Sequence, residues 1–203
     1  MASNHSIDFF ETQFQKQARS QAYQLNPFES EVLPYLHGRV LDYGCGMGNL
    51  AIEAAKRGCS VVALDASPSA IADLQQRASS ERLPVEAEVA DLRYYQLKES
   101  FDSVVSIGLL MFFDCPTAFK ALAHLQAHVS EGGLAVVNVL VEGTTYLDMF
   151  DADHHCLFNR PEIESRFAGW HILKSEFKDF DAPNGKVKSF ATVIARKPVT
   201  LHA

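Results

Sequence analysis

Residues 40–49 read VLDYGCGMGN, a short apolar run followed by an acid and then by closely spaced glycines. This order predicts a strand that ends near Asp42, then a tight turn, then a helix. Gly44 and Gly46 can adopt backbone angles that other residues avoid, and they present no β-carbon to a ligand. Cys45 lies between them, at a position that the ligand would occupy, so we interpret it as a packing residue, not a nucleophile. The stretch therefore predicts a strand–turn–helix unit with a ligand at its turn.

The spacing of these glycines bears on which ligand the turn would accept. Dinucleotide sites carry G-x-G-x-x-G and place a diphosphate at the helix N-terminus. Here the pattern is G-x-G-x-G, and Asn49 stands where the third dinucleotide glycine would be. The carboxylate of Asp42 would repel a diphosphate, whereas it suits a ligand that carries an ammonium and a sulfonium.

Outside the turn, strand-like and helix-like patterns alternate along the chain. Apolar or β-branched runs predict five strands, at residues 39–43, 60–65, 85–90, 101–107 and 134–140. Helical spacing predicts helices at residues 49–57, after Ser67-Pro68 and at 116–129, with a tentative helix between the third and fourth strands. Such alternation predicts a parallel sheet with helices on both faces.

The chain ends differently, with two strand-like runs in succession at residues 171–180 and 187–196. The loop between them contains Asn184-Gly185, a strong hairpin signal, so these strands should be antiparallel. A helix is expected just before them, near residues 161–167. We therefore predict an α/β protein with one Rossmann-like, doubly wound, seven-stranded sheet that closes with a C-terminal hairpin.

The predicted organisation has three parts. Residues 1–37 form a helical lid over the carboxyl end of the sheet, residues 38–197 the ligand-binding domain, and residues 198–203 a tail. Within the lid, helices are expected at residues 9–23 and 27–36.

Two further acids follow strands and should lie near the glycine turn. Asp65 ends the second strand, where a carboxylate can accept hydrogen bonds from both ribose hydroxyls. Asp91 follows the third strand, where it could accept from an adenine amino group. Because the carboxyl ends of parallel strands meet at one edge, we expect a single site there. Its predicted residues are Asp42, Gly44, Cys45, Gly46, Asn49, Asp65, Ala66, Asp91, Leu92 and Ile107.

The residues from Asp42 to Gly48 match D-x-G-C-G-x-G, and the chain from about residue 38 to 197 resembles the class I S-adenosylmethionine (SAM)-dependent methyltransferases. The resemblance implies SAM as cofactor, S-adenosylhomocysteine (SAH) as product, and the reversed last strand expected above. It is closest to the tellurite-resistance (TehB-like) methyltransferases, through Leu110-Met111-Phe112, residues 167–170 and the tail from Asn184 to Lys197. Where that group has a His-Arg pair, this chain has Phe177, Lys178 and Asp179, which weakens transfer of its tellurium chemistry.

Five residues are candidates for the pocket of the methyl acceptor: Tyr23, Met111, Phe112, His154 and His155. Tyr23 and the two histidines are the candidate general bases, although a soft nucleophile would need none. Asp153-His154-His155-Cys156 could line this pocket, form a solvated loop or bind a metal; adjacent ligands converge poorly, so no metal is expected.

The sequence thus favours methyl transfer from SAM to a small molecule, with a thiol, selenium or tellurium species as the preferred acceptor. Two alternatives stay open: an NAD(P)-dependent oxidoreductase, and a SAM-binding protein without catalysis. The oxidoreductase lacks support because the third glycine is displaced.

Composition argues against macromolecular partners. The chain has 203 residues and a net charge of −7 without any Lys/Arg run, which disfavours nucleic acid and anionic lipid. No apolar run approaches the roughly 20 residues that span a bilayer, and the first residues lack a signal-peptide pattern. The four cysteines are widely spread without a C-x-x-C pair, which predicts free thiols and a cytoplasmic location.

Overall fold

The computed structural model describes residues 5–150 and 154–200. The ends of the predicted lid and tail, and Asp153 of the histidine-containing stretch, lie outside these residues. The strands of the described chain are β1 (Arg39–Tyr43), β2 (Ser60–Asp65), β3 (Val85–Val89), β4 (Phe101–Ile107), β5 (Val129–Leu140), β6 (His171–Ala182) and β7 (Lys186–Arg196). The helices are α1 (His5–Ser20), α2 (Pro27–Val32), α3 (Asn49–Lys56), α4 (Pro68–Ser80), α5 (Cys115–Ala127) and α6 (Arg160–Ser165), with short 3-10 turns at Leu33–Tyr35, Leu110–Phe112 and Pro183–Gly185.

The seven strands of the described chain form one sheet in the order β3-β2-β1-β4-β5-β7-β6. The five strands from β1 to β5 are parallel, and β7 pairs antiparallel with both β5 and β6. Asn184 and Gly185 both have positive φ (61° and 69°) in the turn between β6 and β7. The predicted doubly wound sheet with a closing hairpin is therefore confirmed. The order reverses between β1 and β4, where sheets of this kind bind ligands.

Two local expectations were wrong. Residues 90–100, between β3 and β4, contain no helix, so this crossover is an irregular segment. Strand β5 begins at Val129 and not at the expected residue 134, because its pairing with β4 shifts register between Phe101 and Ser103 and the extra residues of β5 form a bulge. Gly132 permits that bulge with a φ of 74°.

Alternate residues of the strands pack into hydrophobic layers on opposite faces of the sheet. On one face Val40, Val61 and Val136 pack with α3 and α4; on the other, Leu41 and Val137 pack with α5 and α6. The helices on both faces hold the central strands rigidly, and the loops at their carboxyl ends form the site. Within the described residues, none of the helices has the length and apolarity that crossing a membrane requires.

The prediction of free thiols was wrong for two of the four cysteines. Cys115, the first residue of α5, forms a disulfide with Cys156, which is 41 positions away. Cys45 and Cys59 are free and buried. Spacing gave no hint of the bond, because only the fold brings the start of α5 beside the segment that precedes α6.

Candidate functional site

Backbone hydrogen bonds fix the glycine turn after β1. The amides of Gly44 and Cys45 both donate to the carbonyl of Leu64 in β2, at 2.8 and 3.0 Å. The amide of Gly48 then donates to the carbonyl of Cys45 at 2.8 Å, and α3 begins at the next residue. The turn therefore holds the N-terminus of α3 against the end of β2.

Glycine is required at both outer positions of the turn by neighbouring side chains. Gly44 and Gly46 have φ values of 87° and 50°. A β-carbon at Gly44 would lie 2.9 Å from the side chain of Leu109, and one at Gly46 would lie 3.1 Å from Cζ of Phe14. The sequence predicted open space for a ligand there. The structure instead presses two protein side chains against the turn, and both also line the adjacent cavity.

This cavity has a volume of about 300 Å³ and lies at the carboxyl ends of the first four strands. Nine of the ten residues predicted for the cofactor line it, all except Asp42: Gly44, Cys45, Gly46, Asn49, Asp65, Ala66, Asp91, Leu92 and Ile107. Ser67 and Arg93 extend the wall beside Asp65 and Asp91. The strand ends thus bring together residues that are far apart in the sequence.

Asp42 lies beneath the cavity and does not line it. Its side chain is buried, and its Oδ2 has no hydrogen-bond partner among the described residues. Burial, together with the nearby carboxylates of Glu29 and Asp65, raises the pKa of Asp42 to about 8. At neutral pH this side chain is therefore mostly protonated in the protein without a ligand.

Asp65 is held in place by backbone amides. The amide of Gly46 donates to its Oδ2 at 2.8 Å, and the amide of Ser67 donates to its Oδ1 at 2.9 Å. Burial raises its pKa, while these hydrogen bonds lower it in part. Each carboxylate oxygen keeps acceptor capacity for a hydroxyl group in the cavity.

Asp91 is paired with Arg93 two residues later. Nε and Nη2 of Arg93 donate to its two oxygens at 2.9 and 2.6 Å, and the backbone amide of Arg93 donates as well. These hydrogen bonds lower the pKa of Asp91. An amino group of a ligand in the cavity would donate to the Asp91 carboxylate, which the hydrogen bonds from Arg93 already hold in place.

Sequence reasoning predicted a helical lid but missed the residues through which it contacts the site. Phe10 and Phe14 of α1 line the cavity and stack with centroids 5.8 Å apart, and Phe10 also contacts Phe112 edge-on at 5.0 Å. Glu11 accepts a hydrogen bond from the hydroxyl of Ser67, which ties α1 to the start of α4. Periodicity in an isolated helix cannot distinguish a lid from a packed surface helix.

Glu29 is a second missed residue, although its sequence gave a signal. Asn26 caps α2, and Glu29 accepts from the Asn26 amide at 2.7 Å while its own amide donates to the Asn26 side chain at 2.9 Å. This reciprocal capping box is visible as Asn-Pro-Phe-Glu in the sequence. It holds the Glu29 carboxylate at the cavity wall, and burial raises its pKa.

A second cavity of about 400 Å³ adjoins the first. Phe10, Asn26, Ile107, Gly108 and Phe112 line both, so the two are continuous at the end of β4. Met111, a predicted acceptor-pocket residue, lines the second cavity only. The remaining wall consists mostly of aromatic side chains from α2, β6 and β7, with Met149 and buried Asn138.

The other three acceptor candidates do not line either cavity. The hydroxyl of Tyr23 donates to Asp73 at 2.8 Å, and the guanidinium of Arg77 lies 4.1 Å from the centre of its ring. His155 stacks on Phe150 with ring centroids 4.9 Å apart, and His154 interacts electrostatically with Asp114. Tyr23 is instead bound by Asp73 and Arg77, which lie one turn apart on α4.

The residues that replace the His-Arg pair also lie outside both cavities. Lys178 forms ion pairs with Glu31 and Glu176, while Asp179 pairs with Arg160 at 3.6 Å. Across the described residues, no group of three or more His, Cys, Asp or Glu side chains is arranged to hold a metal ion.

Known proteins share sequence similarity with this chain. Residues 40–133 match the family described as methyltransferase domain. The chain is 30% identical over 172 residues to hemagglutinin 1 of Eikenella corrodens, covering 79% of this chain and 55% of that protein. It is 25% identical over 166 residues to the probable S-adenosyl-L-methionine-dependent methyltransferase TehB of Haemophilus influenzae, covering 78% and 57%. The chain therefore spans a little over half the length of these curated relatives.

Solved structures show the same fold. The crystal structure of TehB from Haemophilus influenzae superposes with a TM-score of 0.74 at 20% identity, covering 85% of this chain and 62% of that one. Magnesium protoporphyrin IX methyltransferase (ChlM) from Synechocystis PCC 6803, determined with bound SAH, gives a TM-score of 0.67 at 17% identity, covering 94% and 97%. In the sequence of residues 40–133 and in its fold, this chain resembles the class I SAM-dependent methyltransferases, TehB among them.

Proposed function

We propose that the first cavity binds SAM and that the protein transfers its methyl group to a small molecule in the second cavity. The observation that carries this proposal is the acidic group at the cavity, in which Asp42, Glu29 and Asp65 lie close enough to raise the pKa of Asp42. It stands beside a glycine turn in a domain of the methyltransferase family.

The charge of this group fits SAM better than a dinucleotide. Glu29 and Asp65 line the cavity, and Asp42 lies buried below it with an unpaired carboxylate oxygen. A ligand with an ammonium and a sulfonium would relieve the repulsion among these acids, whereas a diphosphate would add to it. This observation, with the family match, favours the methyltransferase over the NAD(P)-dependent oxidoreductase.

The lining residues suggest how the cofactor would be held. Asp65 would accept from the ribose hydroxyls, Asp91 and Leu92 would bind the adenine, and Glu29 would face the amino group. When bound, SAM supplies a methyl group on a positively charged sulfur, which is already activated for displacement. The protein's task is therefore mainly to align the acceptor and to exclude water, and α1 serves the latter through Phe10 and Phe14.

For the acceptor we propose a soft nucleophile, meaning a thiol, selenium or tellurium species. None of the histidines described lines either cavity, so a hydroxyl or amine acceptor would lack the usual imidazole base there. Met111 and Met149 give the second cavity a polarisable sulfur-containing wall. The resemblance to TehB points in the same direction.

Calorimetry with SAM, SAH and NADH tests the cofactor assignment. We expect SAM and SAH to bind and NADH not to bind; uptake of NADH in preference to SAM would overturn the proposal. Methyl transfer is tested with labelled SAM and a panel of thiols, selenide and telluride, with gas chromatography of the headspace. A protein that binds SAM but methylates no acceptor in a broad panel would instead be a non-catalytic SAM-binding protein. Methylation of hydroxylated metabolites alone would reject the soft acceptor.

We also propose that the protein acts on a small molecule, since its charge of −7 disfavours nucleic acid and anionic lipid. The cytoplasmic location that the spread of the cysteines predicts remains a proposal. The bond between Cys115 and Cys156 counts against a reducing compartment. The redox state of these two cysteines in the cell is therefore the measurement that decides the location.

A further inference from the structure

We infer that the second cavity recognises an aromatic acceptor through a hydrogen bond to Oδ1 of Asn138. This inference rests on the proposed function, and it specifies the chemical class of the acceptor: a ring compound that carries a hydrogen-bond donor in addition to its soft nucleophilic atom. Asn138 becomes the residue that determines specificity.

Asn138 is a polar residue at an unusual place. It lies on β5, in the middle of the sheet, among apolar neighbours, and its side chain is fully buried. Its Nδ2 donates to Oγ1 of Thr192 on the adjacent strand at 2.9 Å. Its Oδ1 has no hydrogen-bond partner among the described residues, yet Asn138 lines the second cavity. A buried acceptor without a partner is costly to keep, so a donor from an occupant of the cavity would satisfy it.

Asn138 lies next to two residues that line the first cavity. It pairs with Ile107 across β4 and β5, and its carbonyl accepts from the amide of Gly108 at 2.9 Å. Ile107 and Gly108 line both cavities. An occupant bound to Asn138 would therefore lie beside the opening through which the methyl group would pass.

The walls around Asn138 are suited to a ring. Phe10 and Phe112 line the cavity and contact each other edge-on, with ring centroids 5.0 Å apart. Across the cavity, Phe190 packs against Phe28 at 4.8 Å. These rings present flat apolar surfaces on which an aromatic occupant can stack or contact edge-on.

The charged residues of the second cavity do not compete for the same role. Lys188 lies with Nζ 4.6 Å from the centre of the Tyr146 ring, and Asp181 is an exposed residue near the hairpin. Asn138 is thus the buried acceptor of the cavity, and Asp179, an exposed acceptor outside both cavities, serves as a control. We infer a ring of neutral character whose hydroxyl or N–H group is directed to Asn138.

The test uses 2-naphthol and naphthalene as a matched pair that differs only in the donor. Binding of SAH is measured first by calorimetry, and binding of each probe is then measured with SAH present. In the wild type we expect 2-naphthol to bind about tenfold more tightly than naphthalene. Asn138→Leu should abolish this preference, while Asn138→Asp, which keeps an acceptor oxygen, should retain most of it. Asp179→Asn should leave it unchanged, because Asp179 lines neither cavity.

The outcomes separate the two proposals. Absence of SAH binding by the wild type would reject the proposed function itself. If SAH binds but the two probes bind equally, or neither binds, the inference about Asn138 is wrong. A preference that persists in Asn138→Leu or disappears in Asp179→Asn would also overturn it. Should the leucine variant fail to fold, the wild type, Asn138→Asp and Asp179→Asn still give these contrasts.

Discussion

Phe14 of α1 lies directly over Gly46 of the glycine turn, so that a β-carbon on Gly46 would come within 3.1 Å of its Cζ. Both residues line the first cavity. The turn that would hold the cofactor and the helix that covers it are therefore in van der Waals contact. Closure of the site is built into the packing of α1.

We expect Phe14→Ala to open the first cavity without unfolding the domain. The lost apolar contact should weaken SAH binding by about 1–2 kcal/mol, a five- to thirtyfold rise in Kd, mainly through faster dissociation. Stopped-flow displacement of SAH measures that rate. Phe9→Ala is the matched control, because Phe9 is on the same helix but is 39% exposed and does not line the cavity. Equal effects of both variants would show that α1 acts only through general stability.

Binding of SAM should release a proton at neutral pH. The pKa of Asp42 is about 8 without a ligand, so this carboxyl is mostly protonated at pH 7. A cation bound nearby lowers that pKa and drives the proton off. Calorimetry at pH 7 in phosphate and in Tris should therefore give different binding enthalpies, with roughly one proton released. At pH 9.5 the difference should vanish, because the proton has already left.

Asp42→Asn provides the control for this proton release. We expect it to bind SAM with the same enthalpy in both buffers. In the wild type without ligand, the raised pKa means that Asp42 lowers stability as the pH rises from about 4 towards 8. The variant should lack this loss and should be the more stable protein at pH 8, as urea unfolding would measure. Proton release that survives in Asp42→Asn would assign it to another group.

Much of the site could be predicted because its residues belong to short local patterns in the sequence. The acids at Asp65 and Asp91 follow apolar strands directly, and parallel strands bring such positions to one edge of the sheet. The hairpin could also be predicted from local sequence, because Asn-Gly favours positive φ and Asn184 and Gly185 both adopt it. Asp42 lies close to the site, as predicted, but it is buried and does not line the cavity. Its burial depends on elements distant in the sequence, Glu29 among their residues, and local sequence does not show this.

What could not be predicted depends on contacts between distant segments. The second cavity is assembled from α1, α2, β5, β6 and β7, and no local pattern joins Asn138 to Phe28 or Phe190. The role of Gly48 was missed for the same reason. The sequence drew attention to Asn49 as the third dinucleotide position, whereas Gly48 is the residue that the packing of α4 constrains.

Gly48→Ala should destabilise the domain by about 2–4 kcal/mol. Gly48 has a φ of 66°, and a β-carbon there would lie 2.4 Å from Cδ2 of Leu74 in α4. Gly58→Ala is the matched control, since Gly58 also has positive φ (93°) but faces open space. It should cost only about 1 kcal/mol from backbone strain. Urea unfolding of both variants isolates the clash; equal losses would mean that Leu74 moves aside freely.

The disulfide should stabilise the segment beside the second cavity. It closes a loop of 41 residues, and the amide of Cys156 also donates to the carbonyl of Met111 at 3.0 Å. Reduction should therefore lower the free energy of unfolding by about 2–4 kcal/mol. The variant Cys115→Ala/Cys156→Ala should be equally destabilised and should no longer respond to reductant.

Alkylation of the denatured protein, read by mass spectrometry, should add two labels before reduction and four after, because Cys45 and Cys59 are free. Four labels from cells quenched in acid, with two from the air-oxidised protein, would mean that the bond forms only outside a reducing cytoplasm.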